Sequence, residues 1–429
     1  MVTPRLITAL GAATAVLASP SAALAATQAA TPYVVTLKPG PASSERVTAQ
    51  LEKDIRFAAA QRFGSAVRGF AATLSDAQVE RLRRSGVVDQ ISVDAAVRLT
   101  AKTHAEAPET TPVGIARVGG IAESSQGSSD AAVAVIDTGV DLGNPDLDVR
   151  PGVNCVKPDK APQDDNGHGT HVAGTIAARN GGGDSVGVAP GTTVYSVKVL
   201  DHRASGRISG LLCGIDWVHA NAERLNIKVA NISITASGTD DGDCGATDGS
   251  ALHRAICSSV AAGLLYVAAA GNAGVDLATT APASFGEVLT VTAVTDTDGV
   301  PGASGGQADC DAAEWDDRAA TYSNYASSPA AAEHLLAAPG TCVVSSAVRS
   351  GLATMTGTSM AAPHVTGAAL RCLSTAGAPG PCAGKSPAQI IAELRGRARR
   401  SADDFGFDGD PLSPIDGRER GFLVSTHSL

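Results

Sequence analysis

Five stretches of this chain are apolar without alternation: AAVAVID (131–137), VYSVKVL (194–200), KVANISI (228–234), LLYVAAAG (264–271) and VLTVTAV (288–294). A strand with one wet face alternates, so runs like these imply strands buried on both faces. Helical patterns lie between them, such as RISGLLCGIDWVHANAE (207–223) and SALHRAICSSVAAG (250–263). Strands alternating with helices predict an α/β fold, a doubly wound and mostly parallel sheet. Ligands and chemistry in such sheets collect beyond the carboxyl ends of the strands.

The chain ahead of this sheet has a different rhythm. Arg5, an apolar run and the small-residue pattern Ala23-Leu24-Ala25 form the layout of a secretory signal over 1–25. That apolar run is too short to span a bilayer, so no membrane anchor is expected once it is removed. TPYVVTLKPG, SAVRGFAATL and VVDQISV read as strands, and SSERVTAQLEKDIRFAAAQRFG (43–64) and SDAQVERLRRSG (75–86) as helices. The second helix opens with an S-x-x-Q capping signature at Ser75–Gln78. This β-α-β-α-β order over 32–100 predicts a small α+β, ferredoxin-like unit. Residues 101–111, within TAKTHAEAPETTPVG, have linker composition.

Charge is divided between the two units. Residues 32–100 carry +3, while 101–429 carry the chain's excess of negative charge, the net being -10. An acidic large unit excludes a nucleic-acid partner, which needs a basic face, and makes the front unit an electrostatic match for it. All eight cysteines follow residue 150, with no C-x-x-C pair. In an exported chain that pattern favours disulfides over zinc. Spacing singles out Cys244–Cys257 and Cys372–Cys382, the other pairings staying open.

Polar residues stand at the ends of these elements. Asp137 closes AAVAVID and precedes Thr138-Gly139; His168 lies in DDNGHGTHVAGTIAA between Gly167 and Gly169, which leave room for a substrate backbone. Asn272 follows LLYVAAAG, and Ser359, in GTSMAAPHV, opens the last strongly helical stretch. A serine there is ordinarily an N-cap. A nucleophilic serine needs a base, a group to orient that base, and donors for an oxyanion. One candidate for each role is present, in the order Asp, His, Ser. His171 and His364 read as packed helix residues.

Taken together, the segments DTG, HGTHVAG, GN and GTSMAAPH resemble those of the subtilisin-like serine proteases, the subtilases, over about residues 112–400. GIARV (114–118) is similar to mature starts in the proteinase K branch, and the front unit resembles the family's inhibitor I9 propeptide. The resemblance implies a secreted serine endopeptidase made as a self-processing zymogen, with Asp137, His168 and Ser359 as its triad and Asn272 in the oxyanion hole. It further implies substrate contacts at Ser233, Ile234, Thr235, Ala270 and Gly271. Polypeptides are the expected substrates, the protein's own propeptide the expected chaperone and inhibitor, and a monomer the expected state. No cofactor is expected for the chemistry. A structural calcium is conceivable at Asp146, although Gly181 lacks the side-chain oxygen that a companion ligand would supply. Where many relatives have SLGG, this chain has Ser233-Ile234-Thr235-Ala236, which adds bulk beside the pocket. Asp240, Asp241 and Asp243 raise the expectation of basic substrates, against that of a solvated loop. Residues 401–429 read as a C-terminal tail. The alternative is a catalytically silent binding or scaffold protein on the same fold.

Overall fold

The computed structural model describes residues 30–99, 101–103, 112–119, 128–180, 185–427 and 429. The signal reading of 1–25 and most of the 101–111 linker lie outside them.

The front unit contains β1 (Thr31–Leu37), α1 (Ser44–Ile55), β2 (Gln61–Phe63), β3 (Gly69–Leu74), α2 (Asp76–Arg84) and β4 (Val88–Val93). Its sheet is antiparallel in the order β2-β3-β1-β4. The first helix ends at Ile55, earlier than its sequence pattern suggests. Arg56 turns the chain with a left-handed φ of 63°, and Phe57 stacks on Phe70 at 5.0 Å. The expected Ser75–Gln78 capping box opens α2. Strand alternation gives the sheet two different faces. Val35, Phe70 and Ala72 pack with Leu51, Ile55 and Leu82 of the unit's own helices. Val34, Phe63 and Ala71 join a core that belongs mainly to the large unit.

The chain continues through β5 (Ala96–Arg98), β6 (Lys102–Thr103) and the short helix α3 (Val113–Arg117) into the large unit. There follow β7 (Ala132–Asp137), β8 (Asp148–Asn154), α4 (His168–Ala177), β9 (Thr193–Lys198), β10 (Ser205–Arg207), α5 (Ile208–Leu225), β11 (Ile227–Ile232) and α6 (Ala251–Ala261). Next come β12 (Leu265–Ala269), β13 (Leu289–Thr295), β14 (Leu335–Pro339), β15 (Val343–Ser346), β16 (Leu352–Thr356), α7 (Thr358–Leu373), α8 (Pro387–Phe405) and β17 (Phe422–Leu423). The main sheet runs β17-β14-β13-β12-β11-β7-β9-β8 with parallel neighbours throughout. Arg318–Ala319 adds an antiparallel partner to β13.

Helices cover both faces, as the unalternated strands require. Val133, Val135 and Val229 pack with residues of α4, α7 and α8; Ala132, Ala134, Ile136 and Ala230 pack with those of α5 and α6. Residues 401–429 are not an appended tail. Helix α8 runs across position 400, β17 extends the main sheet, and the Thr426 N–H and hydroxyl both donate to the Val118 carbonyl at 2.8 and 2.9 Å. Four disulfides join Cys155–Cys213, Cys244–Cys257, Cys310–Cys342 and Cys372–Cys382. Two of these are the pairs that spacing singles out.

Candidate active site

Strand β7 is buried along its whole length and delivers Asp137 at its carboxyl end. Helix α4 begins on His168, after Gly167 has turned the chain with a φ of 113°. The His168 Nδ1–H donates to Asp137 Oδ1 at 2.8 Å, and the Thr138 N–H donates to the same oxygen at 2.7 Å. Because a carboxylate only accepts, this contact places a proton on Nδ1, so that in the neutral ring Nε2 is the acceptor. His168 Nε2 is buried and has no hydrogen bond among the described residues.

Gly169 has a different function from the one the sequence suggests, and Gly139 shares it. A Cβ on Gly169 would lie 2.0 Å from the Gly139 carbonyl oxygen, and one on Gly139 would lie 2.6 Å from that of Pro162. They let the turn after β7 close onto the start of α4, which fixes the distance between Asp137 and His168. Sequence reasoning also missed Asp164. Its carboxylate accepts from the Asn166, Gly167 and Thr170 N–H groups and from the hydroxyls of Thr138 and Thr170. One buried carboxylate thus ties the Asp137 turn to the His168 helix. The Asp-x-Asn-Gly pattern at 164–167 is the local signal for such a turn. Buried Lys198 braces the same turn, its ammonium donating to Thr138 O and Asp165 Oδ1, both at 2.6 Å.

Ser359 lies in the first turn of α7, whose packing partners include α4. Its hydroxyl donates to the Ser233 carbonyl at 3.0 Å, and the Ser233 hydroxyl donates back to the Ser359 carbonyl at 2.9 Å. In this rotamer the serine is held by Ser233 and not by His168. No Cβ is tolerated easily at Gly357, where φ is 154° and a methyl would lie 2.9 Å from Asn272 Nδ2. Asn272 Oδ1 accepts from the Thr358 N–H at 2.8 Å and the Thr358 hydroxyl at 2.7 Å. The carboxamide therefore presents its NH2 end beside Gly357. Its loop is kept in place by Asn324, whose Oδ1 accepts from the Ala273 and Val275 N–H groups and whose Nδ2 donates to Ala270 O.

The remaining substrate candidates occupy two strand ends. Ile234 is buried in the core that contains Val97 of β5, and Thr235 forms an antiparallel bridge with Arg98. Ala270 is buried. Gly271 has a φ of 105° and donates its N–H to the Thr358 hydroxyl at 3.0 Å. His171 and His364 are packed inside their helices as expected, burial pushing them down to about 3 and about 4. The acidic loop after Ala236 is structural. The Asp241 carboxylate accepts four backbone N–H groups (Asp243, Gly245, Thr247 and Asp248), which hold it well below the usual carboxylate range against a desolvation that acts the other way.

Calcium takes six to eight oxygens. Beside Asp146, the Pro145 and Leu147 carbonyls accept from Arg179 Nη1 at 2.7 and 3.2 Å. A guanidinium thus meets these two carbonyls, and the rest of the oxygen shell that an ion at Asp146 would need falls partly on residues outside the described ones. Gly181 lies outside the described residues.

A serine at a helix start, a carboxylate-held histidine and a half-buried asparagine, set at element ends of a doubly wound parallel sheet, define the class as a nucleophilic hydrolase. The subtilase family profile matches residues 128–409, and that of the peptidase inhibitor I9 family matches residues 32–100. The chain belongs to the subtilase family and is a serine endopeptidase carrying an I9 propeptide unit. It is 33% identical to subtilisin E of Bacillus subtilis (strain 168) over 346 residues, 79% of this chain and 77% of that one. It is 34% identical to a subtilisin of Bacillus pumilus over 304 residues, 70% of this chain and 94% of the relative. The crystal structure of a cold-adapted subtilisin-like serine proteinase matches with a TM-score of 0.51 at 29% identity, covering 70% of this chain and 89% of that one.

Proposed function

We propose that this protein is exported as a zymogen which cuts its own front unit away and then acts, as a monomer, on other polypeptides. Ser359 is the nucleophile, His168 the base, Asp137 the group that orients it, and the Asn272 amide and Ser359 N–H the oxyanion donors. The observation that carries this reading is the path of the chain between the units. On one side of Ser359, β5 pairs antiparallel with β10 and Arg98 bridges to Thr235. On the other side, β6 pairs antiparallel with β16, which leads directly into the Ser359 helix. Two short segments of the protein's own chain thus lie in antiparallel pairing on the two flanks of the serine, the posture of a substrate.

Rotation of Ser359 about χ1 takes its hydroxyl from the Ser233 carbonyl toward the His168 Nε2 acceptor. The Oγ–carbonyl bond forms as the proton passes to Nε2, and Asn272 and the helix end stabilise the oxyanion. Collapse breaks the C–N bond, His168 giving its proton to the leaving amine. Water then attacks the acyl-enzyme with its proton going to His168, and the carboxylic acid product leaves as Ser359 regains its hydrogen. None of these steps uses a cofactor.

The test is a serine-directed fluorophosphonate applied to folded protein. Processed wild type is expected to label at Ser359. Ser359→Ala is expected to stay a full-length, unlabelled precursor, with activity lower by several orders of magnitude. A folded wild type that neither labels nor sheds its front unit would favour the silent scaffold.

A further inference from the structure

Resting on that reading, we infer that Asp311 selects a basic side chain at the second residue after the cut bond, so that the enzyme prefers polypeptides with Lys or Arg at that position.

Two registers locate the bond. Arg98 lies opposite Thr235 in antiparallel sense, and two residues before Thr235 is Ser233, whose carbonyl holds the Ser359 hydroxyl. From the other side, Lys102 lies opposite Thr356, and one step further the Cα of Ala101 is 3.5 Å from the Cβ position of Gly357, two residues before Ser359. Counting the registers toward each other assigns the processed bond to Thr100–Ala101. Lys102 is then the second residue on the leaving side.

What meets Lys102 is a constructed acid. Its ammonium lies 3.1 Å from Asp311 Oδ2, with the Asp311 side chain only 20% exposed. Asp311 opens the second strand of the Gln307–Ala308/Asp311–Trp315 hairpin, and its Oδ1 accepts from the Ala313 N–H at 3.1 Å. The neighbouring Cys310 is bonded to Cys342. The Cys342 N–H in turn donates at 2.9 Å to the hydroxyl of Thr356, which also lies 3.4 Å from Cys310 Sγ. Thr356 is the residue paired with Lys102, so the contacts form a closed circuit. Backbone pairing fixes where the second leaving-side residue sits, and the disulfide fixes a carboxylate beside its side chain. Lys102 stays on the large unit after the cut, so once the new N-terminus from Ala101 has swung out of this groove and the front unit has departed, the same carboxylate faces the corresponding residue of an incoming substrate. A fixed acid attracts Lys or Arg there and repels Asp or Glu.

The test uses processed enzyme and quenched fluorescent peptides identical except for Lys, Ala or Glu at the second position after the cut. Wild type is expected to favour Lys over Glu about fivefold to tenfold in kcat/KM, the size expected of a partly exposed charge pair plus the matching repulsion. Asp311→Asn, which retains the oxygen that accepts from Ala313, should bring the Lys-to-Glu ratio below about twofold, and Asp311→Lys should invert it. In the precursor, N-terminal sequencing should find Ala101, Lys102→Glu should slow processing, and adding Asp311→Lys to that variant should restore it. Hydrolysis by wild type without a Lys-to-Glu preference, or a preference unchanged in Asp311→Asn, overturns the inference and leaves the protease reading standing. Failure of folded wild type to hydrolyse any of the peptides or to label at Ser359 overturns the protease reading itself.

Discussion

The front sheet leaves one of its apolar faces for another unit to cover, whereas the large sheet is covered on both faces by its own helices. The front unit's own core has ten buried residues, and a domain near 70 residues buries too little surface to be more than marginally stable. It gains the rest by docking. Phe63, Ala66, Val67 and Ala71 pack into the core built on α5, and Asp216 of α5 accepts from the Gly64, Ser65 and Ala66 N–H groups. Asp94 repays the contact by accepting from the Ser209 N–H at 2.9 Å, near the start of α5, where Arg207 provides no side-chain cap. The large unit has further internal restraints, with four disulfides and a buried Arg117 that reaches Asp296, Asp317 and the carbonyls of Phe405 and Gly406. The difference separates a unit held together by its own core from one whose stability rests on its host's surface.

That contrast can be broken from either side, and the largest effect is expected inside the large unit. Arg117→Met removes the partner of two buried carboxylates and should destabilise the Ser359→Ala precursor by about 3–5 kcal/mol, read from the denaturant midpoint. A change under 1 kcal/mol would mean that α3 contributes little to this unit. Phe63→Ala should weaken docking by about 3 kcal/mol, roughly a hundredfold in the Kd of the front unit for the Ser359→Ala large unit. An unchanged Kd would show that the front unit stands on its own core. Asp94→Ala removes a helix-capping acceptor and should cost about 1 kcal/mol of the same affinity.

The smallest effect is a pH dependence of the large unit. His253 is fully buried, stacks on Phe285 at 4.0 Å, and lies 3.1 Å from Glu287 Oε2 and 3.3 Å from Asp241 Oδ1. Desolvation lowers its pKa, but Glu287, Asp240 and Asp241 outweigh it and leave the net shift upward from 6.5. A raised folded pKa means that this stabilisation is complete below 6.5 and is lost as pH rises through the folded value. Thermal midpoints of wild type should therefore contain a component that declines above pH 6.5, and Glu287→Gln should flatten it. Equal slopes in the two proteins would remove the Glu287–His253 pair from the stability of this unit.

Much of this molecule was legible before any coordinates. Unalternated runs located β7, β9, β11, β12 and β13, because burial on both faces leaves a compositional trace within each segment. Ser75–Gln78 announced a helix start, and Asp137, His168, Asn272 and Ser359 stood out as polar residues at element ends. The early end of α1 was not legible, since apolar periodicity continues past Ile55 while Phe57 is drawn to Phe70 on a distant strand. Nor was the integration of 401–429, because a two-residue strand has no periodicity to detect.

By itself, the sequence determined which segments are strands or helices and which side chains could take part in nucleophilic chemistry. These properties follow from local patterning, cap chemistry and residue type. Only the tertiary structure decided that Asp164 would lock two turns together, that the Ser359 hydroxyl would rest on Ser233, and that Asp311 would stand beside Lys102. Each of those contacts joins segments whose proximity is set by sheet order, register and disulfide closure, and none of these is written in the residues near either partner.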